Sequence, residues 1–147
     1  EKSLGAVAKS GNRPMVDVLD YGEPIKTKGF NFMNSPGYDP VSVTGQVASG
    51  ANIICFTTGR GSCFGFKPTP SLKIATNTNM YNNLEEDMDI NAGTIMDGIS
   101  SIEEIGTNIF NELIEVASGK KTKSEIPVLG FFWYLILNQL YCHYYNQ

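Results

Sequence analysis

Residues 57–62 read Thr57-Thr58-Gly59-Arg60-Gly61-Ser62, and of the whole chain they are the residues best equipped for chemistry. Glycines at 59 and 61 let the backbone turn tightly and present N–H groups, and the hydroxyls of Thr58 and Ser62 add polar contacts. The planar fork of Arg60 matches a carboxylate or a phosphate. Together they make an anion cradle. The same residues also suit a structural turn whose arginine pairs with a carboxylate of the protein, and spacing alone leaves both readings open. Nucleotide loops fit poorly. Gly59, Gly61 and Gly65 are spaced one residue wider than GxGxxG with no helix opening at the last, and no Gly-Lys-Ser/Thr follows. Lys67 and Lys73 bracket the rigid Pro68-Thr69-Pro70 segment, which can hold one ammonium near the loop, although lysines are ordinarily solvated.

A second polar cluster runs from Glu85 to Gly93. Asp87, Asp89 and Asn91 at alternate positions resemble the opening of a calcium loop, but the required glycine comes one residue late and the final glutamate position is Gly98, so an EF-hand is excluded. These carboxylates suit internal pairing better than metal ligation. Cys55, Cys63 and Cys142 form no CxxC pair and the single histidine is His143, so neither a disulfide framework nor a Cys/His zinc site can be assembled. A reducing cytoplasm is the expected setting. With no histidine near the loop, a base that removes a proton beside a carboxylate would be a lysine, a carboxylate or a group outside this sequence.

The elements that must position the loop can be read from local pattern. Residues 1–10 read as a small-residue lead-in, and residues 14–25 as a short strand or helix ending at the Tyr21-Gly22 turn and Pro24. Phe30-Asn31-Phe32-Met33 alternates like a half-buried strand. Asp39-Pro40 predicts a helix start, with the carboxylate accepting from orphan N–H groups, and a helix to about Ser49 stopped by Gly50. The apolar run 51–57 predicts a strand covered on both faces. Strand, helix and strand in succession imply an α/β unit, and the expected fold is α/β: a three-layer, Rossmann-like, mostly parallel sheet flanked by helices. Residues 72–76 predict another strand and 80–88 a short acidic helix. Ser100 and Ser101, each followed three residues later by a glutamate, carry a capping-box signature. Behind it Ile102, Ile105, Ile109, Leu113 and Val116 form an apolar stripe, ended by Gly119, Lys120 and Lys121.

The chain has 147 residues, with 11 basic against 15 acidic, which bounds it to one domain's worth of sequence and argues against nucleic acid as a partner. Its opening residues lack a secretory pattern and an initiator Met, as expected of a piece of something longer. Residues 126–147 differ in composition, and their uninterrupted apolar part, 128–137, is well short of the ~20 residues of a membrane span. No membrane association is expected, and the tail is of uncertain origin.

FTTGRGS, continuing through FGFKPTPSLKIATNT, stands with KSLG at 2–5, VDVLDYGE at 16–23, SPGYDPVSVT at 35–44 and MDINAG at 88–93. These blocks, in this order, closely resemble the C-terminal region of the altronate/galactarate dehydratase family over residues 1–125. The resemblance implies a cytoplasmic hydro-lyase that converts a hexonate or hexarate to a 2-keto-3-deoxy acid with a divalent metal, typically ferrous iron. It also implies upstream domains that carry most metal ligands, so the region alone is expected to be inactive. Carried over residue by residue, it assigns Thr58, Gly59, Arg60, Gly61 and Ser62 to the substrate anion, Asn77 to polar support beside them, and Arg60 and Lys73 to catalysis. Loss of a proton beside a carboxylate builds charge on that carboxylate, which fixed donors and a cation stabilise. The other reading is a non-catalytic binding or oligomerisation domain, with the helix stripe and apolar tail forming a homodimer contact.

Overall fold

The computed structural model describes residues 2–62 and 64–126; the side chains of Lys2, Ser3 and Ala6, and the expectations for Cys63, Cys142, His143 and the tail beyond Ile126, lie outside that description. The chain divides into two units at Ala51/Asn52.

The first unit holds α1 (Lys2–Ala8), β1 (Met15–Leu19), β2 (Phe30–Met33) and α2 (Asp39–Ala48). The lead-in is therefore a helix, and the ambiguous segment after it is a strand. β1 and β2 pair in parallel, with Leu19 opposite Met33. Helix α2 begins one residue earlier than the aspartate signal suggests. Tyr38 is its N-cap with no side-chain bond, Asp39 lies in the first turn, and proline follows, where a missing N–H does no harm. Gly50, with φ +116°, turns the chain out of the helix as expected.

The second unit holds β3 (Ile54–Thr58), β4 (Ser71–Ala75), α3 (Thr78–Asn83), β5 (Ile90–Asn91), a short 3-10 helix (Gly93–Ile95) and α4 (Ile102–Ala117). Its sheet order is β3-β4-β5, parallel throughout. The strands on either side of α2 belong to different sheets, so α2 is not the crossover of one β-α-β unit and the described strands do not form one continuous Rossmann-like sheet. The α/β class holds.

β4 is the buried strand. All five of its residues are buried, whereas β3 keeps only Ile54 fully inside. Alternation sends its side chains to two faces. Leu72 and Ile74 pack with Ile90 and Val116, backed by Ile109 and Leu113 of α4. Ala75 packs with Met80 of α3 and with Met88. Helices thus cover both faces of this small sheet. α3 is shorter than its acidic sequence suggests, because Asn77 starts it early and Leu84 caps it, leaving residues 85–87 as a turn. At α4 the capping box forms as read. The Glu104 N–H donates to Ser101 Oγ, and the Ser101 N–H donates to Glu104 Oε2 at 2.8 Å. The stripe buries Ile105 and Val116, while Ile102 stays 70% exposed. Among the described residues no helix is long and apolar enough to cross a membrane.

Candidate functional site

The three parallel strands of the second unit end on one edge, and the chain leaves that edge at residues 58–62, 76–78 and 91–93. Ligand sites of open parallel sheets lie at such carboxyl ends. The contacts tie the three exits together. Thr58 O accepts the Thr76 N–H at 3.0 Å and the Thr76 hydroxyl at 3.2 Å. Asn77 spans loop and helix: its Nδ2 donates to Gly59 O at 2.7 Å, and its Oδ1 accepts the Met80 N–H at 2.8 Å as the N-cap of α3.

The loop is also held through β4. Lys73 sits in the middle of β4, opposite Phe56, and only 1% of it is exposed. Its Nζ donates to Ser62 O at 3.1 Å and lies 3.7 Å from Asp87 Oδ1. Strand alternation places it on the face of Ala75. Of the two residues expected to be catalytic, Lys73 is thus placed to hold the loop. Arg60 is exposed, and among the described residues no carboxylate pairs with its guanidinium. The Arg60 backbone N–H reaches Thr58 Oγ1 at a long 3.4 Å, and Ser62 Oγ accepts the Phe64 backbone N–H at 3.1 Å. Gly61 has φ +90°, a conformation that demands glycine; a Cβ there would also stand 2.1 Å from Leu84 Cδ1, the end of a side chain that can swing aside.

The acidic cluster does structural work. Asp89 accepts the Lys73 N–H at 2.7 Å through one oxygen and the Lys123 N–H at 2.8 Å through the other. Among the described residues no three Cys, His, Asp or Glu side chains gather closely enough to hold a metal ion.

Sequence reasoning missed Thr76, Thr78 and Asp97, and met Asn91 only as part of the acidic cluster. The Thr78 hydroxyl donates to Asp97 Oδ2, Asn91 Nδ2 donates to Thr78 Oγ1 at 3.3 Å, and Asn91 Oδ1 accepts the Gly93 N–H at 2.9 Å. A Cβ on Gly93 would meet the Thr78 backbone nitrogen at 2.2 Å, so the 3-10 helix passes directly against the start of α3. The available signal was the polar run directly after β4, Thr76-Asn77-Thr78, at a strand's carboxyl end.

Comparison with known proteins places this geometry in context. The family described as D-galactarate/altronate dehydratase, C-terminal, matches residues 1–140. Among curated relatives, galactarate dehydratase (L-threo-forming) of Escherichia coli K12 is 46% identical over 121 residues, which is 82% of this chain and 23% of that protein. Altronate dehydratase of Bacillus subtilis 168 is 41% identical over 126 residues, 85% of this chain and 25% of that protein. The (2R)-sulfolactate sulfo-lyase subunit beta of Chromohalobacter salexigens is 31% identical over 126 residues, 85% of this chain and 32% of that protein. The chain spans about a quarter of the length of the two dehydratases.

Proposed function

Because the chain belongs to the D-galactarate/altronate dehydratase C-terminal family, we propose that it lends residues 58–62 to the active site of a sugar-acid hydro-lyase, where they receive the substrate's carboxylate. One observation carries this reading: Arg60 stands exposed, with no carboxylate of the described residues paired to it, on a loop fixed through Asn77 on one side and Lys73 on the other. An exposed arginine on a rigid support is an unspent bidentate donor.

The relatives' names support the same assignment. Galactarate, altronate and sulfolactate are all carboxylates, while what leaves is water in two cases and a sulfo group in the third. A region common to all three suits the shared carboxylate better than the differing leaving group. As the proton beside that carboxylate is lost, charge grows on its oxygens. Donors already aimed there then stabilise the transition state more than the ground state. Thr58, Gly59, Gly61 and Ser62 shape the cradle, Arg60 supplies the cation, Asn77 fixes its entrance, and Lys73 acts through the loop as a positioning residue. A divalent metal, ferrous iron by family resemblance, supplies Lewis-acid help when bound. Its ligands, and the general base, belong to other parts of the polypeptide, and the complete enzyme works in the cytoplasm.

Arg60→Ala in the complete dehydratase tests this. The expected result is a fall of about 100- to 1000-fold in kcat/KM, the scale seen when a donor to a developing oxyanion is removed, with an unchanged melting temperature. Activity within threefold of the parent would sink the assignment.

A further inference from the structure

The first unit leaves one face of its sheet bare. Parallel sheets are ordinarily covered on both faces, and a helix in the crossover commonly does the covering. Here residues 20–29 join β1 to β2 without a helix. The face of Leu19 and Met33 is covered: Leu19 is buried, and the Ser49 hydroxyl at the end of α2 donates to Met33 Sδ at 3.4 Å. The opposite face carries Val18 and Phe32, paired in register, and they stay 61% and 50% exposed. Val16, where the register shifts, is exposed as well. Adjacent apolar side chains with no charged or hydrogen-bonding group among them mark a surface that something else covers.

The rest of the polypeptide arrives beside this face. The chain matches a family region described as C-terminal and about a quarter of the length of the two dehydratases, so in such a protein most of the remainder stands before residue 1. That polypeptide enters through α1, whose Leu4 and Val7 are exposed too, and only residues 9–14 separate α1 from β1. Helix and connection together span at most about 30 Å. A segment just upstream therefore meets the bare face at an effective concentration on the order of millimolar, which a second copy free in solution does not reach.

We infer that the Val18–Phe32 face is the seat of the preceding part of the same polypeptide, which lays the apolar side of a helix across β1 and β2 and supplies the layer that the crossover lacks. The inference shares with the proposed function only the premise of a longer polypeptide. The Arg60 loop lies in the other unit, and the contact is read without turnover.

The test places a photoreactive benzophenone side chain at position 18 of the complete dehydratase, with position 108, exposed on α4, as the control. After irradiation, digestion and mass spectrometry, the expected product is a crosslink within one chain from position 18 to residues that precede residue 1, about tenfold more abundant than from position 108 and lost in urea. Val18→Lys and Phe32→Thr, both at exposed positions, should leave the thermal midpoint of the 147-residue chain within about 3 °C of the parent. In the complete dehydratase the same substitutions should speed proteolysis of the stretch before α1 about tenfold, because the docked segment opens more often. A crosslink joining two chains would assign the face to a second copy, one to residues 127–147 would assign it to the tail, and quenching by water alone would leave it open. Any of these, or proteolysis indifferent to both substitutions, overturns the proposal. An absent crosslink beside a crippled Arg60→Ala enzyme would sink this inference and leave the carboxylate assignment standing.

Discussion

Gly93→Ala is expected to destabilise the second unit by about 3 kcal/mol, and the reason is geometric. A Cβ at this position would lie 2.2 Å from the Thr78 nitrogen, 2.4 Å from the Asn77 carbonyl carbon and 2.5 Å from the Asn77 Cα. All three are backbone atoms, so no side chain can swing aside. To reach ordinary contact at ~3.5 Å, one segment must retreat by about 1.3 Å. That retreat strains the Ala92 N–H bond to Ala75 O, now 2.8 Å, and the Gly93 N–H bond to Asn91 Oδ1, now 2.9 Å, each worth about 1 kcal/mol. Overpacking adds roughly 1–3 kcal/mol. Against this, alanine restricts the unfolded chain and returns at most about 1 kcal/mol. The clash wins, with a net loss near 3 kcal/mol and, for a chain of this size, a thermal midpoint lower by about 10 °C. Thermal and urea denaturation followed by circular dichroism measure both. A variant within 1 kcal/mol of the parent, or more stable than it, would refute the reasoning and with it the close approach of the 3-10 helix to α3.

Ser101→Ala removes one half of the capping box and should destabilise α4 by about 1 kcal/mol, read by urea denaturation. Its partner Glu104 has a folded pKa below the ordinary 4.5, first because the Ser101 N–H donates to the carboxylate and then through the Ser101 side chain. A depressed carboxylate contributes stability above its unfolded value and loses it as pH falls through the folded one. The gap between the parent and Glu104→Gln should therefore be constant near neutrality and close in acid below 4.5; a gap that widens there would contradict the bond. Lys73→Met keeps the buried stem but drops the bond to Ser62, so the fold should hold within about 1.5 kcal/mol. Amide exchange at residues 59–62 should then quicken at least tenfold, and unchanged exchange would show that the lysine does not hold the loop.

What could be read from sequence divides along a physical line. The Ser101–Glu104 box, the glycine stop after α2 and the loop behind β3 depend on neighbours within a few residues, and all appear as expected. The rank of the strands did not show. β4 contains Ser71 and Lys73, so it does not read as buried, yet it is the central strand because β3 and β5 flank it and helices cover both faces. The apolar 51–57 run looked central and lies on an edge. In the site, Arg60 and the glycines were legible as chemistry. The place of Lys73 against the loop, and the Thr78–Asp97 contact, come from strand alternation and a crossing 3-10 helix that no local pattern encodes.

Every strand pairing described is parallel, and the consequence concerns how the molecule comes into being. Ile54 meets Ser71, Ile74 meets Ile90, and Met15 meets Phe30, so no pair can be zipped from a tight hairpin. Each must wait for an intervening stretch to close first, and such long closures place folding toward the slow end for small domains. Asp89, joined to Lys73 on one side and Lys123 on the other, acts as a late buckle: until residue 123 has been made, Asp89 has only one of its two partners.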